Sequence, residues 1–528
     1  MLFLGFVDWI IVVVTAIVLL YLYASRHRNY WKDQNVVYEK YSLVFGPISR
    51  FFLKPFHLMN HERYIKFGRL FGVFEGSQPV LFVADPELLK LVFVKDFASL
   101  PDRRPIPFVQ PLLEEMMAFV TLKKWRKLRP SASPAFASGK LRKMYPRIND
   151  SITATVTFLK EAAEKDTEMD IRTLFSNYAL DAIARCAFGT KMESHLQEVD
   201  DFAAQNKSFF AAPQALSGVI SLLSPSLAKL MKLDALKSDR LPYFMALSES
   251  IIKERKHKEN RQEDFLQLMM DVQEETSSTG ADSQTDDRLF NPDSGSKAFF
   301  MGRRRALTKS EALAQCIMFF LAGRDTSATL LAHAIYMLAL HPEAQAKLRK
   351  EADECFEKHG EELTMDVVAK LKYVHGVVSE TLRMLPPATR LERLTVEDYV
   401  LGDTGIKVPK GCIIAIPIYS MHHDPEYFPD PFTFKPERQE TFIGENIESI
   451  RPYTYLPFGA GPRNCIGNRF ALEAIKIALL HVVRSVEFYR SQNTRVPLEF
   501  LYRLRLLQAK DVTVGIRKRP VQVADTAL

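Results

Sequence analysis

The stretch "PFGAGPRNCIG", Pro457 to Gly467, surrounds one cysteine, Cys465, with three glycines, two prolines and an arginine. A helix-like run, Asn468 to Glu473, follows at once. An inert buried cysteine needs none of this. A thiolate placed at a helix N-terminus is stabilised by free amide N–H groups and by the helix dipole. Gly459, Gly461 and Gly467 remove side chains where a flat, wide ligand would press on the backbone. Phe458 can shield the sulfur from water, and Arg463 can reach an anionic group on that ligand. Thiolate, anion-pairing arginine and glycine bed together describe a haem with an axial cysteine.

Three other groupings have types and spacing suited to chemistry. "AGRDTS", Ala322 to Ser327, puts an acid and a hydroxyl, Asp325 and Thr326, inside an otherwise apolar helical run, where buried polar groups need a reason. A hydroxyl bonding back to the carbonyl four residues earlier would also account for Thr326. The small pair Ala322-Gly323 lets a ligand lie against the helix backbone. "WRKLR" places Trp125 and Arg129 on one helical face, where both could hold a carboxylate, while Lys123, Lys124, Arg126 and Lys127 suit a solvated basic face. In "ETLR", Glu380 and Arg383 stand at i and i+3 and can pair, although that spacing arises by chance on many helices.

These residues require elements to hold them. "LTKSEALAQCIMFFLAGRDTSATLLAHAIYMLALHPE" opens on the capping-box pattern Thr308-x-x-Glu311 and stops at His341-Pro342. Roughly thirty residues of helix span about 45 Å, so this element must cross the domain centrally. Short strands are expected around Gly76–Pro79 and along "DYVLGDTGIKVPKGCIIAIPI", with a helix entered through Asp85-Pro86. Elsewhere the periodicity is helical, so the class is mainly α with small β-sheets. The segment 274–296 is rich in Ser, Thr, Asp and Gly and reads as a flexible loop.

The chain has 528 residues, 47% hydrophobic, with a formal charge of +7, too mild to indicate nucleic acid as a partner. Five scattered cysteines without a C-x-x-C pair exclude a disulfide framework and a zinc ribbon. Residues 1–24, "MLFLGFVDWIIVVVTAIVLLYLYA", carry one charged side chain, Asp8, and are long enough to cross a bilayer. Arg26, Arg28 and Lys32 follow, which predicts a retained N-terminal anchor with the remainder cytosolic. A linker is expected over 25–60 and one catalytic domain over 61–528.

Phe458, Gly461, Arg463, Cys465 and Gly467 spell F-x-x-G-x-R-x-C-x-G, and this chain resembles the cytochrome P450 monooxygenases from about Arg69 to its end. The stretches "GVFEGSQPVLFVADPELLK", "ASGKLRKMYP", "EDFLQLMMD" and "RLERL" are most similar to the animal microsomal clan that oxidises xenobiotics and steroids. The resemblance implies the P450 fold, haem b (iron protoporphyrin IX), and Cys465 as axial ligand of the iron. It implies that Asp325 and Thr326 relay protons during dioxygen activation, and that Arg103 and Arg393 join Trp125, Arg129 and Arg463 at the propionates. It also implies that Arg438 in "FKPERQ" completes a buried triad with Glu380 and Arg383, where Gln439 departs from the usual aromatic. The proline-rich hinge of the family is reduced here to Gly46-Pro47 and Lys54-Pro55.

The implied reaction inserts one oxygen atom into a lipophilic small molecule. Electrons come from NADPH through a separate cytochrome P450 reductase, with cytochrome b5 a further candidate donor, at the endoplasmic reticulum membrane. No Gly-x-Gly-x-x-Gly accompanies a strand–helix unit that would supply them internally. Two alternatives remain open at this level: a haem-thiolate isomerase or lyase that rearranges a peroxide without external electrons, and a non-enzymatic haem sensor. The acid–alcohol pair speaks for oxygen activation.

Overall fold

The computed structural model describes residues 6–40, 54–75, 78–106, 111–189, 225–232, 264–270, 307–438, 450–501 and 506–519, with a few isolated positions between 245 and 253. The expected loop 274–296 lies outside these residues, as do Gly76 and Gln439. The long helices are α1 (Phe6–Ser25), α2 (Phe56–Phe67), α3 (Leu122–Ala132), α4 (Ser138–Glu164), α5 (Ile171–Phe188), α6 (Lys309–Leu340), α7 (Pro342–His359), α8 (Lys372–Met384) and α9 (Asn468–Ser485).

The strands are few and short. Leu70–Glu75 (β1) and Gln78–Val83 (β2), both rich in Phe and Val, pair antiparallel from Leu70↔Val83 to Glu75↔Gln78. A parallel partner to β2, Ile413–Ile416 (β7), and an antiparallel one to β7, Leu391–Leu394 (β4), complete a sheet of order β1-β2-β7-β4. Thr167–Asp170 (β3), Val486–Tyr489 (β8) and Thr513–Lys518 (β9) form a second sheet of order β3-β9-β8, and Tyr399–Val400 (β5) pairs with Lys407–Val408 (β6).

Helix α6 begins where its capping box predicts. The Thr308 hydroxyl accepts from Glu311 N at 3.1 Å and the Glu311 carboxylate accepts from Thr308 N at 3.0 Å, so two of the unpaired first-turn donors are satisfied. Its 32 residues are buried from Ala312 to Ala339 except at Ala322, Gly323 and Thr326. Helices α4, α5, α8 and α9 supply much of the hydrophobic core around it. A Cβ on Gly323 would stand 2.7 Å from Ile183 Cδ1, so the missing side chain lets α6 lie close against α5. The expectation that Gly323 serves ligand approach is corrected in that respect: its Cβ direction is taken by protein.

The linker expected over 25–60 is corrected at both ends. Trp31 is fully buried, its indole N–H donates to Val73 O at 3.0 Å, and a Cβ on Gly72 would lie 2.4 Å from its ring. Tyr38 bridges Gly72 in parallel, Arg63 holds the Glu39 carboxylate through Nε and Nη2, and the Tyr30 hydroxyl donates to Lys407 O. At the other end α2 already occupies residues 56–67. Local composition gave no hint of this docking, because the partner of Trp31 is a glycine forty residues away.

Helix α1 covers twenty residues, and Trp9, Ile11 and Leu19 are more than half exposed on it. Among the described residues no helix is long and apolar enough to cross a membrane.

Burial leaves several imidazoles below their ordinary value of 6.5: His57, His375 and His423 fall to about 3, and His333 and His481 to about 4. In each case the folded pKa lies below the unfolded one, so the unfolded chain binds the extra protons first as pH drops. Stability is therefore complete above about pH 6.5 and falls from there to about pH 4 for His333 and His481 and to about pH 3 for the other three, by up to about 1.4 kcal/mol per pH unit for each histidine. Urea midpoints at pH 7.5 and 5.5 measure this; equal midpoints would contradict the burial of these rings.

Candidate active site

The cysteine loop is a tight backbone construction. Gly459 N donates to Leu456 O at 3.0 Å, Asn464 N to Gly461 O at 3.1 Å and Cys465 N to Phe458 O at 2.9 Å. Gly459 and Gly461 both have φ of 72°, in the left-handed region. A Cβ on Gly461 would stand 2.1 Å from the carbonyl oxygen of Phe93, so this glycine is fixed by the packing of the loop on residues 91–95. The bed of glycines expected under a ligand is thus in part a protein–protein contact. Gly467, with φ of −95° and Phe136 at 3.5 Å from a built Cβ, is under no such constraint.

Cys465 is the one of the five cysteines that keeps accessible surface, although the surrounding protein desolvates its thiol. Burial pushes its thiol above the ordinary value, against the Gly467 N–H and the charges of Arg129 and Arg103. The approach to α9 is therefore insufficient by itself to hold a thiolate. Coordination to a cation, which deprotonates a thiol outright, would supply the missing stabilisation.

Four arginines gather beside the cysteine. Arg129 donates to Asn464 O and Oδ1, both at 2.9 Å, and Arg103 Nη2 donates to Arg463 O at 3.2 Å. Arg463 Nη2 reaches Asp102 Oδ1 at 3.2 Å and Val120 O at 2.9 Å, while its guanidinium stacks 5.2 Å from the Trp125 ring centre. Arg393 lies over Phe93 at 4.8 Å. Burial and the neighbouring cation Arg103 push Arg463 down to about 9, and burial with Arg103 and Arg463 drives Arg393 well below its ordinary value. Arg463 Nε and Nη1 and Arg393 Nε are buried without hydrogen-bond partners among the described residues. Buried guanidiniums that repel one another and aim unused donors inward call for an anion with several oxygens. The two propionates of a haem fit that requirement, and the accessible cysteine beside them fits its iron.

The opening at Ala322, Gly323 and Thr326 lies in the middle of α6. Phe136 bridges the two regions: its ring packs 4.9 Å from Phe319, one turn before Ala322, and sits against Gly467. Phe319 and Phe320 are core residues, Phe319 within an aromatic group with Phe136 and Phe265. The Thr326 hydroxyl donates to Ala322 O at 2.7 Å, and Asp325 is buried with its carboxylate 3.4 Å from Arg324 Nη1.

Glu380, Arg383 and Arg438 do come together. Arg383 Nε and Nη2 each lie 2.8 Å from a Glu380 oxygen, and Arg438 Nε lies 3.0 Å from Glu380 Oε1. Arg383 also donates to His422 O and Pro431 O, both at 2.8 Å.

Sequence reasoning missed Asp102, which accepts from Leu122 N at 2.7 Å and meets Arg463, although it immediately precedes Arg103. It also missed the buried Glu75, held by Arg104 and Arg390, because the three come from distant parts of the chain. On α3, Lys123, Lys124, Arg126 and Lys127 are exposed while Trp125 is buried, so the two faces read from "WRKLR" coexist.

A family model described as "Cytochrome P450" matches residues 42–508. Among curated proteins, cytochrome P450 3A7 of Homo sapiens is 33% identical over 524 residues, covering 98% of this chain and 97% of that protein. Cytochrome P450 3A9 of Rattus norvegicus is 32% identical over 497 residues, covering 93% and 92% respectively.

Proposed function

Because this chain belongs to the cytochrome P450 family and is a haem-dependent monooxygenase of lipophilic molecules, we propose that Cys465 is the axial ligand of its haem iron. The observation that carries this is a single accessible cysteine beside buried arginines with unused donors. Arg463, Arg103, Arg393, Arg129 and Trp125 bind and orient the propionates, and Phe458 with Gly459, Gly461 and Gly467 shapes the loop around the sulfur. Haem, when bound, supplies the redox centre at which dioxygen is activated. The Glu380–Arg383–Arg438 triad keeps the backbone beneath the site in register.

Asp325 and Thr326 carry protons toward the site from α6. Thr326 is suited to this because it lies on the partly open turn of α6; its bond to Ala322 O is the one its own helix would also give. Thr326→Ala is expected to leave substrate binding intact while product formed per NADPH falls. A hydroxyl serving only its own helix would cost about 1 kcal/mol of stability and leave that ratio unchanged. The isomerase alternative requires activity without a reductase, which the same assay reads.

Redox partners follow from the family; we assign NADPH–cytochrome P450 reductase, with cytochrome b5 as accessory, to the exposed basic face of α3. Among lipophilic substrates, xenobiotics and steroids are the proposed class. Residues 1–24 form a single-pass anchor in the endoplasmic reticulum membrane, and the cytosolic catalytic domain takes in the docked residues from Tyr30 on together with 61–528. The apolar sequence and the exposed side chains of α1 support the anchor. Deleting residues 1–24 is expected to release much of the protein from membranes with its haem spectrum intact, since docking begins at Tyr30. Fractionation with a spectrum of each fraction checks this; loss of haem on truncation would place α1 in the folded core.

A further inference from the structure

A cleft of about 660 Å³ lies beside the segment that joins α1 to the globular body. Its walls are residues 33–37, Leu70 at the start of β1, and residues 404–407, which lead into β6. Backbone groups tie these walls together. The Tyr30 hydroxyl donates to Lys407 O, Lys407 N donates to Gln34 Oε1 at 3.1 Å, and Gly72 N donates to Val37 O at 2.8 Å. Two charges of opposite sign line the cleft, the Asp33 carboxylate and the Lys407 ammonium. Both side chains are exposed, and neither enters a hydrogen bond or an ion pair among the described residues. Asn35, exposed on the same wall, holds φ of 53°, a left-handed conformation that asparagine tolerates better than most residues. The Thr404 hydroxyl, by contrast, is used within its own turn by Leu401 O and Ile406 N. Val37, 57% exposed, adds an apolar edge.

A ligand that matches this lining carries an anion and a cation a few bonds apart on an apolar body. Position narrows the choice. Asp33 follows Ser25, the last residue of α1, by eight residues, and the bonds Arg28 N–Ser25 O, Tyr30 N–His27 O and Asp33 N–Asn29 O wind that stretch into turns. Wound backbone advances about 1.5–2 Å per residue, so the cleft stands within about 16 Å of the end of α1. We propose that the cleft binds the headgroup of a zwitterionic phospholipid from the leaflet that holds α1, with its phosphate at Lys407 and Asn35 and its ammonium at Asp33. The inference rests on the anchor proposed above. It adds the lipid that the globular body grips beside that anchor.

The test titrates the full-length holoenzyme, in a maltoside detergent at fixed ionic strength, with three water-soluble probes followed by calorimetry. These are glycerophosphocholine, glycerophosphoglycerol, which lacks the cation, and inorganic phosphate. Glycerophosphocholine is expected to bind saturably, and the other two about tenfold or more weakly. D33N and K407Q are each expected to weaken that binding about threefold or more. Both side chains are exposed, so the haem spectrum of each variant should match wild type. Flotation of the wild-type chain with dioleoylphosphatidylcholine vesicles reads the anchor separately. Absence of saturable glycerophosphocholine binding, equal binding of either comparison probe, or wild-type affinity in D33N or K407Q overturns the proposal and leaves the anchor standing. A wild-type chain that does not float with the vesicles overturns the anchor reading, and the lipid assignment falls with it.

Discussion

Cys465→Ala is expected to give a protein that folds but shows no thiolate-type carbon-monoxide difference spectrum and no turnover. Cys465 is the only cysteine among the described residues that keeps accessible surface; Cys186, Cys316, Cys355 and Cys412 are buried. Burial pushes the thiols of Cys186 and Cys412 up to about 12, and neither offers accessible surface to a ligand. Alanine at 465 removes a side chain that fills no packed core, so the urea midpoint should change little while the spectrum is lost entirely. The measurement is the reduced carbon-monoxide spectrum of each of the five Cys→Ala variants. Retention of the thiolate signature in Cys465→Ala, or its loss with any of the other four, would falsify the ligand assignment.

Glu380→Gln should be the most destabilising single change short of the cofactor site. Glu380 and Arg383 have no exposed side-chain surface, and three arginine nitrogens converge on the Glu380 oxygens. Removing one partner of a buried pair leaves an uncompensated charge and costs about 3–5 kcal/mol. Here the change strands Arg383 and weakens the hold on Arg438 together. Arg438→Ala should cost less, because Arg438 is partly exposed and Arg383 still neutralises Glu380. Urea denaturation of the holoenzyme, followed by tryptophan fluorescence and haem absorbance, compares the two. A midpoint for Glu380→Gln no lower than that of Arg438→Ala would show that the triad is not the keystone of this region.

The sequence was most legible where chemistry and local geometry coincide. The capping box at Thr308 and Glu311, the stop at His341-Pro342 and the glycine-flanked cysteine are short-range signals, and each is found in the folded chain. Glu380-x-x-Arg383 was ambiguous alone because helical spacing permits a pair without requiring burial. What stayed illegible depends on where distant segments meet. Gly323 reads as a place for a ligand, yet its Cβ direction belongs to Ile183; Gly461 reads the same way, and Phe93 O occupies that space. Residues 30–39 look like linker because only the fold brings Gly72 and Val73 to Trp31. A local pattern shows that a side chain is missing, but not which neighbour requires its absence.

The docking of Trp31 has a mechanical consequence. Between the end of α1 at Ser25 and the attachment of Tyr30 to Lys407 stand four residues, and hydrogen bonds Arg28 N–Ser25 O at 3.0 Å and Tyr30 N–His27 O at 2.9 Å wind them into turns. Such a joint is short and partly wound, so it narrows the tilts open to the globular body. With α1 in a bilayer, as proposed above, the body stays close to the lipid plane, and a partner confined to the same sheet has a smaller set of approaches to search.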